Sequence, residues 1–336
     1  MANENPILVR LAAELAIKSR RTRHQFMLRL KRNVRDALSS AGVKAEVTGE
    51  WGRLYVTPSS PEALVVLPRV FGLSSISPVE AVVEPELGRI VTVGEELFRE
   101  RVRGRTFAVR ARRTGEHAFT SRDVMVELGS ALDPHSAGVN LDDPQVTVSV
   151  EVREREAYLF SERIAGAGGL PLGVEGRALA LISGGFDSAV SAWLMQKRGV
   201  ELDYVFCNLG GDAYERAVVQ VAKVLADDWS YGTQPRLHVV DFGEALDELK
   251  SKVKPNYWQV VLKRLFYRVA SAIGEQIDAQ AIITGEAVGQ VSSQTRVNLR
   301  AIDPAASLPV FRPLIGFDKE EIIQRARQIG TAALSE

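Results

Sequence analysis

The chain of 336 residues reads as an α+β front half followed by an α/β domain built on a doubly wound parallel sheet. Three observations predict this. From Arg177 onward, apolar strand-like runs alternate with helical patterns, the rhythm of a parallel sheet covered on both faces. Before Arg177, short alternating strands mix with amphipathic helices and that rhythm is absent. A glycine-rich turn, Ser183-Gly184-Gly185, then follows directly on the apolar run ALALI. Open α/β sheets bind their ligands at such a carboxyl end of a strand.

Taken in order, ILVR is a short apolar strand. Phe26, Leu30, Val34 and Leu38 recur every four residues and mark an amphipathic helix over 22–41. KAEVTG and RLYVTP alternate as strands around a turn at Glu50-Trp51-Gly52. Pro58 to Pro61 opens a second segment, with PEALVVLPRVFG as a helix closed by glycine and ISPVEAVV as a strand. GRIVTVGEELFRERV is helical, and RTFAVRARR is a strand whose alternating arginines share one face. A helix starts after Ser121 as N-cap, and PQVTVSVEVRE pairs with EAYLFSE as a hairpin. The glycine-rich AGAGGLPLGVEG reads as a linker. ALALIS, DYVFCNL, RLHVVDF and AIITGE are the strands of the last segment. The expected domains are therefore 1–62, 63–165 and 166–336.

Composition bounds the function. Hydrophobic residues make up 46% and charged residues 25%, an ordinary globular balance. No apolar run approaches the roughly 20 residues that span a bilayer, so no membrane partner is expected. The N-terminus shows no signal-peptide pattern, because Arg10 and Glu14 interrupt it. A single cysteine, Cys207, excludes an internal disulfide and a cysteine metal cluster, and points to a reducing cytoplasm. Net charge is zero, yet Lys18 to Arg35 holds eight basic residues and no acid. Arg99 to Arg113 holds seven arginines. Lys18, Arg20, Arg21 and Arg23 in the first cluster, and Arg110, Arg112 and Arg113 in the second, are candidate phosphate-backbone contacts. Solvated helix and strand faces would look the same. Trp51 and Tyr55 beside them could stack on bases or simply pack a small domain.

The turn after the first strand of the last segment carries the chemistry. In Ser183-Gly184-Gly185-Phe186-Asp187-Ser188 the glycines let the backbone approach phosphate, and the two serines add hydroxyl donors. Asp187 stands where an anion should bind. A carboxylate beside polyphosphate is repelled unless a cation lies between them, so Asp187 is a candidate Mg²⁺ ligand; an ordinary N-cap aspartate is the plain alternative. Gly285 and Gln294, in TGEAVGQVSSQT, fall at another strand's carboxyl end, where their polarity suits an adenine edge or phosphate. Asp318 and Glu321 form a capping box, which puts Lys319 in a first helical turn. The helix dipole disfavours a cation there, so either Lys319 faces phosphate charge or it is a surface lysine. Cys207 reads as a small core residue rather than a nucleophile, and His117 and His238 as structural.

These residues resemble a known family. LISGGFDSAVSAWLMQKRG, NLGG, TGEAVGQVSSQTRVNLRAID and RPLIGFDKEEIIQRARQIGT are similar to the tRNA 4-thiouridine synthetases, or tRNA sulfurtransferases. RTFAVRARRTGEHAFTSRDVMVELGSAL through VTVSVEVRE resembles their RNA-binding THUMP domain. The resemblance implies a ferredoxin-like domain, a THUMP domain and a PP-loop ATP pyrophosphatase domain in that order. It implies that ATP, with Mg²⁺, adenylates uridine 8 of tRNA, after which a persulfide sulfur displaces AMP. Asp187 and Lys319 match the family's catalytic residues. Ala180, Leu181, Lys263, Gly285 and Gln294 match its ATP contacts, alongside Ser183, Gly184, Gly185, Phe186 and Ser188 of the loop. The implied partners are tRNA and a cysteine desulfurase or other persulfide carrier, with a homodimer as one option. Some relatives also supply sulfur for the thiazole of thiamine.

One feature departs from the pattern. The family form most like this chain carries a sulfur-handling cysteine soon after ARQIGT, whereas the sequence ends at Glu336 and Cys207 lies elsewhere. Either the sequence is a fragment or sulfur comes from a separate carrier protein, and the expectation is that the polypeptide adenylates tRNA without completing thiolation from a persulfide of its own. Two other readings keep part of the pattern: a PP-loop synthetase for another substrate, and a non-catalytic RNA-binding sulfur-relay adaptor. The basic front half speaks against the first. Intact Asp187, Lys319, Gly285 and Gln294 speak against the second.

Overall fold

The computed structural model describes residues 5–49 and 52–335, so Trp51 lies outside the described residues. These residues form two compact units. The first holds the residues up to Leu11, Ala41–Pro68 and Leu73–Gly166. The second holds Ala12–Ser40, Arg69–Gly72 and the chain from Ala167 on.

In the first unit, β1 (Ile7–Leu11), β2 (Ala45–Thr48), β3 (Arg53–Pro58) and β4 (Leu73–Pro78) precede β5 (Ala81–Val83), β6 (Phe107–Arg113), β7 (Val146–Val152), β8 (Ala157–Phe160) and β9 (Ile164–Ala165). One sheet runs β2-β3-β1-β4-β9 with antiparallel neighbours throughout. The other runs β5-β8-β7-β6, where only β6 and β7 are parallel. ISPVEAVV, expected as one strand, is two strands in different sheets, because the chain leaves the first ladder after Pro78 and re-enters as β5. The helices Leu87–Val102 and Ser121–Leu132 supply Ile90, Phe98, Val124 and Leu128 to a core shared with the second sheet. The second of these helices is capped by Thr120 rather than Ser121. The Thr120 hydroxyl accepts from Asp123 N, and the Asp123 carboxylate accepts from Thr120 N at 2.7 Å, a reciprocal capping box.

In the second unit, β10 (Arg177–Leu181), β11 (Glu201–Asn208), β12 (Leu237–Asp241), β13 (Ile282–Ile283) and β14 (Val310–Phe311) form an all-parallel sheet in the order β12-β11-β10-β13-β14. This is the doubly wound sheet the alternation predicts, and β14, with two residues, was too short to be read from the sequence. The order reverses direction at β10 and β13, so the crevice for a ligand opens at their carboxyl ends. Residues 167–176 do not hang as a free linker. Leu170 and Leu172 are buried, and backbone bonds from Leu170 N to Lys197 O and Gly173 N to Gly199 O stitch the segment down. Two leucines among the glycines supply enough apolar area to fix a segment whose composition suggests flexibility.

The helix Arg20–Ser40, grouped with residues 1–62 by sequence, packs within this second unit. Arg29 Nε donates to Leu172 O at 2.8 Å and Asn33 Nδ2 to the same oxygen at 3.1 Å, while Gly232 N donates to Asp36 Oδ2 at 2.7 Å. Gly232 has φ +83°, and a Cβ there would meet Asn33 Oδ1 at 2.0 Å, so the close approach requires glycine.

Candidate active site

The run LALIS leaves the sheet at Leu181, and Gly185 becomes the N-cap of the helix Phe186–Lys197 without any side-chain cap of its own. A glycine N-cap leaves first-turn amide groups facing outward at the positive end of the helix dipole, a ready anion site. The two serines shape the turn. Ser188 Oγ accepts from Ser183 N at 3.0 Å and lies 3.1 Å from Ser183 Oγ, which itself accepts from Gly185 N at 3.4 Å. Asp187, in the first turn, is held at both oxygens. Lys319 Nζ donates to Oδ1 at 3.2 Å and Gln290 Nε2 donates to Oδ2 at 3.0 Å.

Lys319 reaches this point because its helix begins beside the turn. The Asp318 side chain accepts from Glu321 N and the Glu321 side chain from Asp318 N, each at 2.9 Å, which is the expected capping box. The Lys319 ammonium also sits 5.2 Å from the centre of the Phe186 ring, a cation–π contact. Lys319 thus shares a carboxylate with the glycine-rich turn, 132 residues away in sequence.

Gly285 closes the other side. An added Cβ would lie 2.6 Å from Asp187 C and 2.7 Å from Ser188 N, so the loop after β13 touches the backbone of the turn itself. Leu181, Ser183, Asp187, Ser188, Lys263 and Gln294 line one cavity of about 220 Å³ together with this glycine. Gln294 is buried, and its Oε1 accepts from Ala287 N at 3.3 Å. Ala180 lies inside the sheet and does not line the cavity.

The floor of the cavity carries a polar network that sequence reasoning missed. Glu286 is 4% exposed. Its Oε1 accepts from Lys263 Nζ at 2.7 Å, and its Oε2 from Tyr267 OH at 2.6 Å, Arg312 Nε at 2.8 Å and Thr284 Oγ1 at 3.2 Å. Arg312 also pairs with Asp303. Burial alone would push the Glu286 carboxyl up. The Lys263 charge and the bonds from Lys263, Tyr267 and Arg312 outweigh it and hold the group below its ordinary value. Burial and Glu286 push the Tyr267 phenol well up. The available signal was position: Glu286 and Arg312 each stand just after a short strand's carboxyl end, as Gly285 does. Cys207 also lines the cavity, but burial pushes its thiol up to about 12, which fits a core residue and not a nucleophile.

None of the basic residues read from the sequence as phosphate-backbone contacts lines this cavity. Arg20 and Arg21 are exposed at the start of their helix, Lys18 packs 5.5 Å from the Phe26 ring, and Arg23 bonds to Ala16 O. In the first unit, Arg110, Arg112 and Arg113 are exposed at the end of β6. Arg110 and Arg112 share a face; Arg113 stands on the other and donates to Gly115 O at 2.8 Å. Nearby, Glu151 is buried among Arg10, Arg53 and Arg153, and Tyr55 stacks on Tyr158 at 5.1 Å. Tyr55 therefore packs within its own unit.

A family model described as thiamine biosynthesis protein (ThiI) matches residues 173–336, a ThiI ferredoxin-like domain matches 6–77, and a THUMP domain matches 89–162. A tRNA sulfurtransferase of Desulfurococcus amylolyticus is 42% identical over 96% of this chain and 67% of its own length. This chain belongs to the tRNA sulfurtransferase family. Another family member, a probable tRNA sulfurtransferase of Aeropyrum pernix, is 44% identical over 97% of this chain and 83% of its own. Among solved structures, a 4-thiouridine synthetase–RNA complex with bound ATP superposes with a TM-score of 0.84 at 31% identity, covering 99% of this chain and 86% of that one. A Pyrococcus horikoshii protein gives 0.77 at 29% identity over 97% and 99%. The ferredoxin-like, THUMP and PP-loop architecture expected of this sulfurtransferase family is thus present. No helix among the described residues is long and apolar enough to cross a membrane.

Proposed function

We propose that this chain is an ATP-dependent tRNA uracil 4-sulfurtransferase that adenylates uridine 8 and receives sulfur from a persulfide carrier, in the cytoplasm. The observation that carries the reading is the Asp187–Lys319 pair at an open helix N-terminus in the crevice of a doubly wound sheet. Together they set a carboxylate and an ammonium where polyphosphate charge would collect. In the first step the uracil O4 attacks the α-phosphorus of ATP, the bond to the β-phosphate oxygen breaks, and pyrophosphate leaves with its electron pair. The N3 proton is lost to solvent. The amides of the glycine-rich turn and Lys319 stabilise charge that grows on the phosphoryl oxygens. Lys263, held by Glu286 at the cavity floor, presents a second cation. The carrier's terminal sulfur then adds at C4, the C4–O bond breaks and AMP departs; a thiol completes release by forming a disulfide as the persulfide S–S bond opens.

The donor set fits Mg²⁺ delivered with the nucleotide. Among the described residues no group of three or more acidic, histidine or cysteine side chains could cage a metal. Mg²⁺ commonly binds through one or two carboxylates plus substrate phosphates, and Asp187 is a carboxylate 28% exposed beside the glycine-rich turn. Bound there, the ion would neutralise phosphate charge. The basic residues Lys18, Arg20, Arg21, Arg23, Arg110, Arg112 and Arg113 serve the tRNA backbone in this reading. The deciding experiment is pyrophosphate release from ATP–Mg²⁺ with and without tRNA lacking 4-thiouridine, for wild type and Asp187→Ala. Release that needs tRNA and vanishes in the variant is expected. Release without tRNA would point to a synthetase for another substrate, and none at all to a non-catalytic adaptor.

A further inference from the structure

A groove of about 900 Å³ lies in the second unit between the helix Arg20–Ser40 and the amino ends of β10, β11 and β12. This is the sheet edge opposite the glycine-rich turn, since the strands are parallel and the turn follows the carboxyl end of β10. Five arginines line it, Arg29, Arg32 and Arg35 from the helix and Arg177 and Arg236 from the strand ends, against three carboxylates.

The carboxylates are already engaged. Glu201 pairs with Arg177 at 3.0 Å and with Arg29 at 3.8 Å. Asp36 accepts from Gly232 N at 2.7 Å, and Asp203 accepts from Arg236 N at 2.8 Å. The Arg32 and Arg236 guanidiniums are exposed and have no hydrogen-bond or ion-pair partner among the described residues. Arg32 and Arg236 thus give the groove positive charge that no ion pair among the described residues quenches. Its walls are also fixed, because Arg29 and Asn33 bind Leu172 O and Gly232 abuts Asn33. Arg29, Arg32 and Arg35 follow one another at three-residue steps, about 4.5 Å of helix rise each.

We propose that this groove holds sugar–phosphate backbone of the substrate RNA, gripping it from the adenylating unit itself. The inference rests on the reading that the chain acts on tRNA, and goes beyond it by placing a backbone contact on the face away from the nucleotide crevice. Unpaired guanidiniums suit phosphodiester oxygens through forked N–H donors. A volume of about 900 Å³ with charges spread over a helix and several strand ends suits a run of phosphates better than one ion.

The test measures tRNA binding by the full chain from about 50 to 200 mM salt, for wild type, Arg32→Ala/Arg236→Ala and Arg32→Lys/Arg236→Lys. Each lost phosphate contact removes roughly 0.7–0.9 from the slope of log K against log salt. The double alanine variant is expected to bind more weakly with a slope shallower by about 1.4–1.8, and the lysine variant to restore the slope. Neither side chain has a hydrogen-bond or ion-pair partner among the described residues, so melting temperatures should agree and ATP titration reports the nucleotide site separately. An unchanged slope in the alanine variant overturns the proposal alone. Inorganic pyrophosphate that raises the melting temperature of wild type but not of the variant, with the RNA slope unchanged, overturns it in favour of a small-anion site. No tRNA binding by wild type overturns the RNA reading as well.

Discussion

Gly285→Ala tests whether the glycine-rich turn is set by backbone contact with the loop after β13. A Cβ at this position would stand 2.6 Å from Asp187 C, 2.7 Å from Ser188 N and 2.8 Å from Asp187 O. All three are backbone atoms, so no side chain can swing away. Ordinary carbon contacts begin near 3.5 Å, so the loop and the turn must part by roughly 0.8 Å. Overpacking of this kind costs roughly 1–3 kcal/mol, which lowers the melting temperature of a unit this size by roughly 2–12 °C. Displacing the turn by that distance also misplaces Asp187, and a 1 Å error in a catalytic constellation costs roughly 100-fold in rate. Calorimetry and tRNA-dependent pyrophosphate release measure the two effects. Gly184→Ala is the internal contrast, since its Cβ would meet nothing nearer than Tyr214 at 3.7 Å. That variant should keep its melting temperature and, on the proposed reading, lose ATP affinity, because the methyl group would occupy space that phosphates bound at the turn need. A Gly285→Ala protein with wild-type melting and wild-type release would refute the argument that this contact shapes the site.

The cavity floor and the buried thiol give further expectations. Glu286→Gln leaves Lys263 and Arg312 facing a neutral amide in a buried site, and breaking such a pair costs roughly 3–5 kcal/mol; denaturant unfolding should show that loss together with a raised KM for ATP. Acid should destabilise both units. The carboxyls of Glu286 and Glu151 lie below their ordinary value of 4.5 in the fold, so their stabilisation is present above that value and lost as pH falls through the lowered ones. For Glu151, burial pushes up, and the charges of Arg53, Arg153 and Arg10 overcome it. Thermal melts stepped down from pH 6 should fall most steeply below about 4.5, and a flat profile there would contradict the paired geometry. Cys207 should resist iodoacetamide at pH 8 in the native protein and react once unfolded, because its thiol stays protonated up to about 12; rapid native alkylation would show the cavity to be open.

The features legible in the sequence were those written within one turn or one strand. The turn Ser183–Ser188 could be read because strand, glycines and helix start are contiguous, and the capping box at Asp318 and Glu321 because its partners are three residues apart. The parallel sheet followed from the strand–helix rhythm, although β14 escaped with only two residues. The amphipathic pattern of Arg20–Ser40 fixed a helix and its apolar face, but amphipathicity does not name the surface that buries that face.

What only the tertiary structure decided are the contacts that join distant segments. Lys319 meets Asp187, Gln290 supports the same carboxylate from the loop after β13, and Glu286 gathers Lys263 and Tyr267 from the helix Trp258–Gln276 and Arg312 from the end of β14. Arg10, Arg53 and Arg153 converge on Glu151 in the same manner. A charged residue in a sequence window looks alike whether it ends in water or in a buried pair, because local periodicity carries burial on average and no information on partners. The sequence by itself determined the local elements of the candidate site, since the turn's amides, glycines and carboxylate are contiguous. Chain topology decided which remote cations and amides surround that carboxylate, since desolvation and charge pairing depend on distances that only the folded chain sets.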